Sequence, residues 1–146
     1  ATCKAFSDSI NIPCIGISSL EVLAYNIKKD GIICSTIDCK NDNCYFALYE
    51  LKDKNYNVLQ EPCAKSVNEV LELLNDKYPN KNISFAGDGI SSTSINTFNY
   101  LNVENLGIAG YKKFIAQNKI GENILPLYLK KPQAQIQLEA KLKAKI

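Results

Sequence analysis

Gly31-Ile32-Ile33-Cys34-Ser35-Thr36-Ile37-Asp38-Cys39-Lys40-Asn41-Asp42-Asn43-Cys44-Tyr45-Phe46-Ala47-Leu48-Tyr49-Glu50-Leu51 is the stretch on which the fold turns. Residues 32–37 and 44–51 are rich in branched and aromatic side chains, and the polar run Lys40-Asn41-Asp42-Asn43 between them reads as a hairpin loop. In the second strand Tyr45, Ala47, Tyr49 and Leu51 alternate with Cys44, Phe46, Leu48 and Glu50. Both sides are largely apolar, which predicts a central strand covered on both faces.

Working outward, Ser18 with Glu21 reads as a capping box opening a helix that places Leu20, Leu23, Ala24 and Ile27 on one face, with Gly31 as its stop. Downstream, Tyr56 to Leu59 is a short strand extending the sheet. A second capping box, Ser66 with Glu69, opens a helix carrying Val67, Val70, Leu71 and Leu74, ended by Pro79. Ile83 to Ala86 is a brief strand, followed by the turn Gly87-Asp88-Gly89 and a weaker helix from about Ser92 to Leu101. A helix from Leu106 to Asn118, an extended stretch Ile124 to Leu129 and a helix after Pro132 complete the series. Upstream, Ala1 to Ile10 reads as a helix and Pro13 to Ile17 as a strand. A hairpin mixed with strand–helix units implies an α/β fold with a mixed sheet and flanking helices, undivided by any linker.

The composition is that of a folded globular chain, with 46% hydrophobic and 22% charged residues over 146 positions. No apolar run approaches the roughly 20 residues of a membrane span. Residues 1–10 lack the apolar centre of a signal peptide and Ala1 is not methionine, so the chain reads as internal to a longer one. A net charge of +2 is too balanced to demand nucleic acid or membrane. Lys130, Lys131, Lys141, Lys143 and Lys145 crowd the end against Glu139 and read as a solvated helix face, which leaves direct contact with nucleic acid undecided. The six cysteines, Cys3, Cys14, Cys34, Cys39, Cys44 and Cys63, read as reduced thiols of a cytoplasmic protein. Their spacing of five residues from 34 to 44 does not suit zinc, whose cysteines pair two to four apart, and a Cys39–Cys44 cross-strand disulfide is disfavoured by that compartment.

Chemistry is scarce. The chain has no histidine and no arginine, so a serine or cysteine nucleophile would lack its usual base. Asp38, Asp42, Glu50 and Asp88 show no spacing that would place two carboxylates around one bond. The remaining candidate is Gly87, Asp88 and Gly89, at the carboxyl end of a strand and before a helix, where backbone amides can hold an anion. The turn lacks the third glycine of a dinucleotide fingerprint and the lysine of a phosphate loop, and Asp88 would repel phosphate. A plain tight turn is the competing reading. No catalytic residue, metal or cofactor follows from this inventory.

Ile12 to Glu21 resembles the "IPLVGVSSLE" segment of the TsaB (YeaZ) family, Ile37 to Glu50 its "IDARRGEVYAALYE" hairpin, Gly87 to Gly89 its "VGDG" turn, and Pro126 to Ala134 its closing "PLYLRKPQAE". The resemblance implies the carboxy-terminal lobe of an actin-like, hexokinase-like ATPase (ASKHA) fold, divided into a remnant of the amino-terminal lobe at 1–17, an α/β lobe at 18–125 and a closing segment with a basic tail at 126–146. It also implies a cytoplasmic, non-catalytic subunit in the synthesis of N6-threonylcarbamoyladenosine on tRNA, pairing with the catalytic homologue TsaD and joined by the small ATPase TsaE. Thr2, Ala5, Phe6 and Ile10 would be what remains of the helix that meets the partner, and that face could instead pair with another copy of the chain. A nucleotide-binding, ATPase-like domain is the alternative. The family's older peptidase label (glycoprotease, M22) ranks third, because the metal-binding histidines of the catalytic homologue have no counterpart here.

Overall fold

The hairpin closes as its sequence predicts: β1 (Gly31–Asp38) and β2 (Asn43–Lys52) pair antiparallel, with Ile33 opposite Tyr49 and Thr36 opposite Phe46. A computed structural model describes residues 2–90, 100–117, 125–130 and 142. From Lys52 the chain reverses through Asp53 and Lys54, both with positive φ (52° and 65°), the backbone twist that tight hairpins require. It then runs back as β3 (Asn55–Ser66), antiparallel to β2. β4 (Ile83–Gly87) joins the other side of β1 in parallel, giving the order β3-β2-β1-β4.

Both faces of β2 are covered. On one side Ala47, Tyr49 and Leu51 pack with Ile33, Ala86 and the residues Leu20, Leu23, Ala24 and Ile27. These last belong to α2 (Ser19–Ala24) and the turn after it. On the other side Cys44, Phe46 and Leu48 pack with Val70 and Leu74 of α3 (Val67–Lys77), the helix that crosses from β3 to β4. The result is a mixed sheet between helices. A further helix, α4 (Val103–Gln117), lies against α2, and α1 (Thr2–Ile10) precedes it all without one buried residue.

Several expectations need correction. α2 stops at Ala24 rather than running toward Gly31, because the N–H groups of Asn26 and Ile27 turn back to Leu23 and Ala24, and Gly31 begins β1 instead. Of the two capping boxes only Ser66–Glu69 closes, with Glu69 Oε2 accepting from Ser66 N at 2.9 Å. Ser18 Oγ merely accepts from Leu20 N, at 3.3 Å. Residues 13–17 form no strand, since no neighbouring strand is there to bond them among the described residues, and 125–129 likewise have no regular structure. β3 is three times the length expected from Tyr56 to Leu59, because twelve residues find partners on the long β2. Most of the helix expected from Ser92, and the one expected after Pro132, fall outside the described residues.

α4 is attached by polar contacts. Asn105 Nδ2 donates to Asn26 Oδ1 at 2.6 Å in a buried pair, and Asn26 Nδ2 donates to the Tyr100 carbonyl at 3.0 Å. Lys112 Nζ donates to the Lys54 carbonyl at 3.0 Å and lies 5.5 Å and 5.6 Å from the stacked rings of Tyr25 and Tyr56. Lys113 Nζ donates to the Gly16 carbonyl at 3.0 Å. Val103, Leu106, Tyr111, Phe114 and Ile115 face outward.

Replacing Asn26 by leucine strands the Asn105 amide and should cost about 1–3 kcal/mol in urea unfolding, while the double variant Asn26→Leu/Asn105→Leu should recover part of the loss. Gly89→Ala would press a methyl to 2.8 Å from the β-carbons of Cys44 and Thr36. A lowering of stability by about 1–3 kcal/mol is expected by the same measurement.

Candidate functional site

Parallel pairing brings the carboxyl ends of β1 and β4 together, so the glycine turn meets the β1–β2 hairpin. Gly87 has φ 99°, and a β-carbon there would stand 1.9 Å from the Thr36 carbonyl oxygen. At Gly89 a β-carbon would also lie 2.9 Å from the Ile37 nitrogen. Both glycines therefore serve close approach of two backbones. Between them, Asp88 Oδ1 accepts from the Asp38 N–H at 3.0 Å and latches the turn to the end of β1.

The hairpin tip is tightly organised. Lys40, Asn41 and Asp42 all have positive φ (69°, 56° and 55°), and Asp38 stabilises this bend by accepting from Lys40 N and Lys40 Nζ, each at 2.8 Å. The Asp42 carbonyl accepts from Val67 N at 2.9 Å, tying the tip to the start of α3. Cys44 stands opposite Asp38 with its side chain buried, and all six cysteines are free thiols. Among the described residues no three His, Cys, Asp or Glu side chains converge as they would around a metal.

The four residues Thr2, Ala5, Phe6 and Ile10 lie on α1 and are exposed, Phe6 by 64% and Ile10 by 59%. No described contact joins them to the glycine turn. Of the lysine-rich tail only Lys130 is described, at the rim of a groove. No described helix is long and apolar enough to cross a membrane.

That groove, of about 890 Å³, is the feature that sequence reasoning missed. Its floor is the sheet face bearing Ile37, Tyr45, Tyr49 and Val58, and its walls come from α1, residues 14–21, Glu61, Lys113 and residues 125–130. Glu21 lines it, with its carboxylate outside any capping box. Burial pushes the Glu21 carboxyl above the usual glutamate range; Lys113 opposes the rise and Glu61 adds to it. Burial likewise raises the Tyr49 hydroxyl, helped by Glu21 and Glu61. Its walls come from segments spread from Cys3 to Lys130, and no local motif marks them.

The Asp38–Lys40 pair yields a pH prediction. Hydrogen bonds from the Lys40 side chain and backbone hold the Asp38 carboxyl below the usual aspartate range. A depressed value stabilises the fold above the unfolded aspartate range, and the gain disappears as pH falls through the folded value. Carboxyl NMR titration should place Asp38 below ordinary aspartates, and Lys40→Ala should bring it back up.

Two solved structures resemble this fold. YeaZ from Pseudomonas aeruginosa has TM-score 0.59 at 15% identity, over 88% of this chain and 65% of that one. An uncharacterized protein with similarity to peptidase YEAZ, also from Pseudomonas aeruginosa, has TM-score 0.57 at 14% identity, over 87% of this chain and 63% of that one. This chain thus spans slightly under two thirds of the length of each. No curated protein matches it in sequence. A family model, TsaD: tRNA N6-adenosine threonylcarbamoyltransferase, matches residues 1–137. With nearly the whole chain inside that match and a mixed sheet folded as in the YeaZ structures, the protein has a YeaZ-like fold and belongs to the TsaD family.

Proposed function

We propose that the chain acts as a non-catalytic subunit in the formation of N6-threonylcarbamoyladenosine on tRNA, binding a catalytic TsaD-type homologue, with a TsaE-type ATPase joining the assembly. The family match and the fold support this reading. The observation that carries it is the state of the glycine turn. Where a nucleotide-binding turn of an α/β protein leaves room for phosphate, Gly87 and Gly89 are packed against Thr36 and Ile37, and the Asp88 carboxylate is engaged with β1. These residues also supply no histidine to serve as base or metal ligand. The exposed α1 face with Ala5, Phe6 and Ile10 is the surface on which the partner, or a second copy of the chain, would seat.

The test has two arms. Co-purification of the full-length protein with the TsaD-type protein of its own organism should give a stoichiometric complex, and failure to associate at low salt overturns the subunit role. Calorimetry with magnesium-ATP should give no saturable heat. Micromolar binding that Asp88→Ala abolishes would instead establish the nucleotide-binding alternative.

A further inference from the structure

We propose that Cys3 and Cys14 form a reversible thiol–disulfide pair that, when oxidised, clasps α1 to the segment following it. α1 ends at Asn11, whose φ of 51° turns the chain back. One residue then fastens the return at both ends: Ile12 N donates to the Ser7 carbonyl at 3.1 Å, and Ser7 Oγ donates to the Ile12 carbonyl. The chain from Ile12 therefore runs back alongside the helix. Four helical residues carry Cys3 about 6 Å back from Ser7, on the same face. Two residues of chain carry Cys14 up to about 6.6 Å onward from Ile12. The two cysteines thus run level, and both line the same groove. A disulfide asks for α-carbons about 4.4–6.8 Å apart, and α1, with no buried residue, can adjust to that span without disturbing the core.

Accessibility selects this pair. Cys3 is exposed and Cys14 half-buried, whereas Cys34 and Cys44 are fully buried on the α3 side of the sheet. Burial pushes the Cys44 thiol up to about 11, and it also pushes up Cys34 and Cys63. Those three are held as thiols, which are poor nucleophiles toward a disulfide. Cys39, at the hairpin tip, neighbours the buried Cys44.

The oxidant is a small disulfide of the glutathione class. The Cys3 thiolate attacks one of its sulfurs, the S–S bond breaks, and one glutathione leaves as thiolate and takes up a proton. The Cys14 thiolate then displaces the second glutathione from the mixed disulfide. Two protein thiols become one disulfide while one glutathione disulfide becomes two thiols, and excess reduced thiol reverses both steps. The closed pair fixes a helix that otherwise holds to the protein without a buried side chain. On the reading that α1 seats a partner, the clasp also sets how Phe6 and Ile10 are presented; that consequence rests on the subunit role, and the disulfide itself does not.

The test equilibrates the whole protein with oxidised and reduced glutathione, blocks free thiols and digests with trypsin. Cleavage after Lys4 and Lys28 leaves Cys3 and Cys14 on separate peptides, so their disulfide appears as a joined mass two hydrogens below the sum. The link should form with an effective concentration about tenfold or more above that of the same chain unfolded in urea, and dithiothreitol should remove it. Cys14→Ser should accumulate glutathione on Cys3, whereas Cys39→Ser should leave the link intact. Amide exchange of residues 6–10 should slow on oxidation. Absence of the link in folded protein, an effective concentration no higher than in urea, or linkage spread equally over Cys39 and Cys63 would overturn the inference. Equal binding of a TsaD-type partner by oxidised and reduced protein would overturn only the consequence for the partner.

Discussion

β2 carries apolar side chains on both faces, and a strand of that kind is stable only when something lies on each side of it. One layer comes from α2 and the turn after it, the other from α3. Because α3 must cross the sheet from β3 to reach the far side of β1, β4 arrives parallel to β1 while the hairpin partners are antiparallel. Phe46, Ile33 and Leu48, all fully buried, are the volume around which the three layers close. The mixed sheet is thus the outcome of covering one ten-residue strand twice.

The same arrangement brings the glycine turn to the hairpin. Parallel strands end side by side, so the residues following β4 must pass the residues following β1 at backbone distance. Only glycine permits that at 87 and 89. Asp88 then satisfies a backbone donor that the end of β1 would otherwise leave open. In this chain the glycine turn takes part in closing the sheet.

Legibility in the sequence followed range. The hairpin, the two-faced burial of β2 and the Ser66–Glu69 cap rest on neighbours or on strict alternation, and those patterns are visible in one dimension. Gly31 was misread because a glycine near a helix end serves equally well as the first residue of a strand. The Ser18–Glu21 pair has the residues of a capping box, but burial beside Lys113 and Glu61 decides where the carboxylate points, and those partners are 92 and 40 positions away. The length of β3 was hidden too, since Asn55, Asn57 and Gln60 are poor strand formers that pairing with β2 recruits. The groove is the extreme case, assembled from segments spread from Cys3 to Lys130.

α4 turns the usual logic of a surface helix around, with Asn105 and lysines directed to the protein beside the small Ala109, and its larger apolar residues exposed. Detachment of such a helix exposes little hydrocarbon, so it carries a small heat-capacity change, whereas separation of the sheet from α2 or α3 carries a large one. The two events therefore answer to different variables. Warming acts mainly on the three-layer core, whereas the lysine contacts of α4 over Tyr25 and Tyr56 are open to weakening by salt at temperatures where the sheet itself is intact.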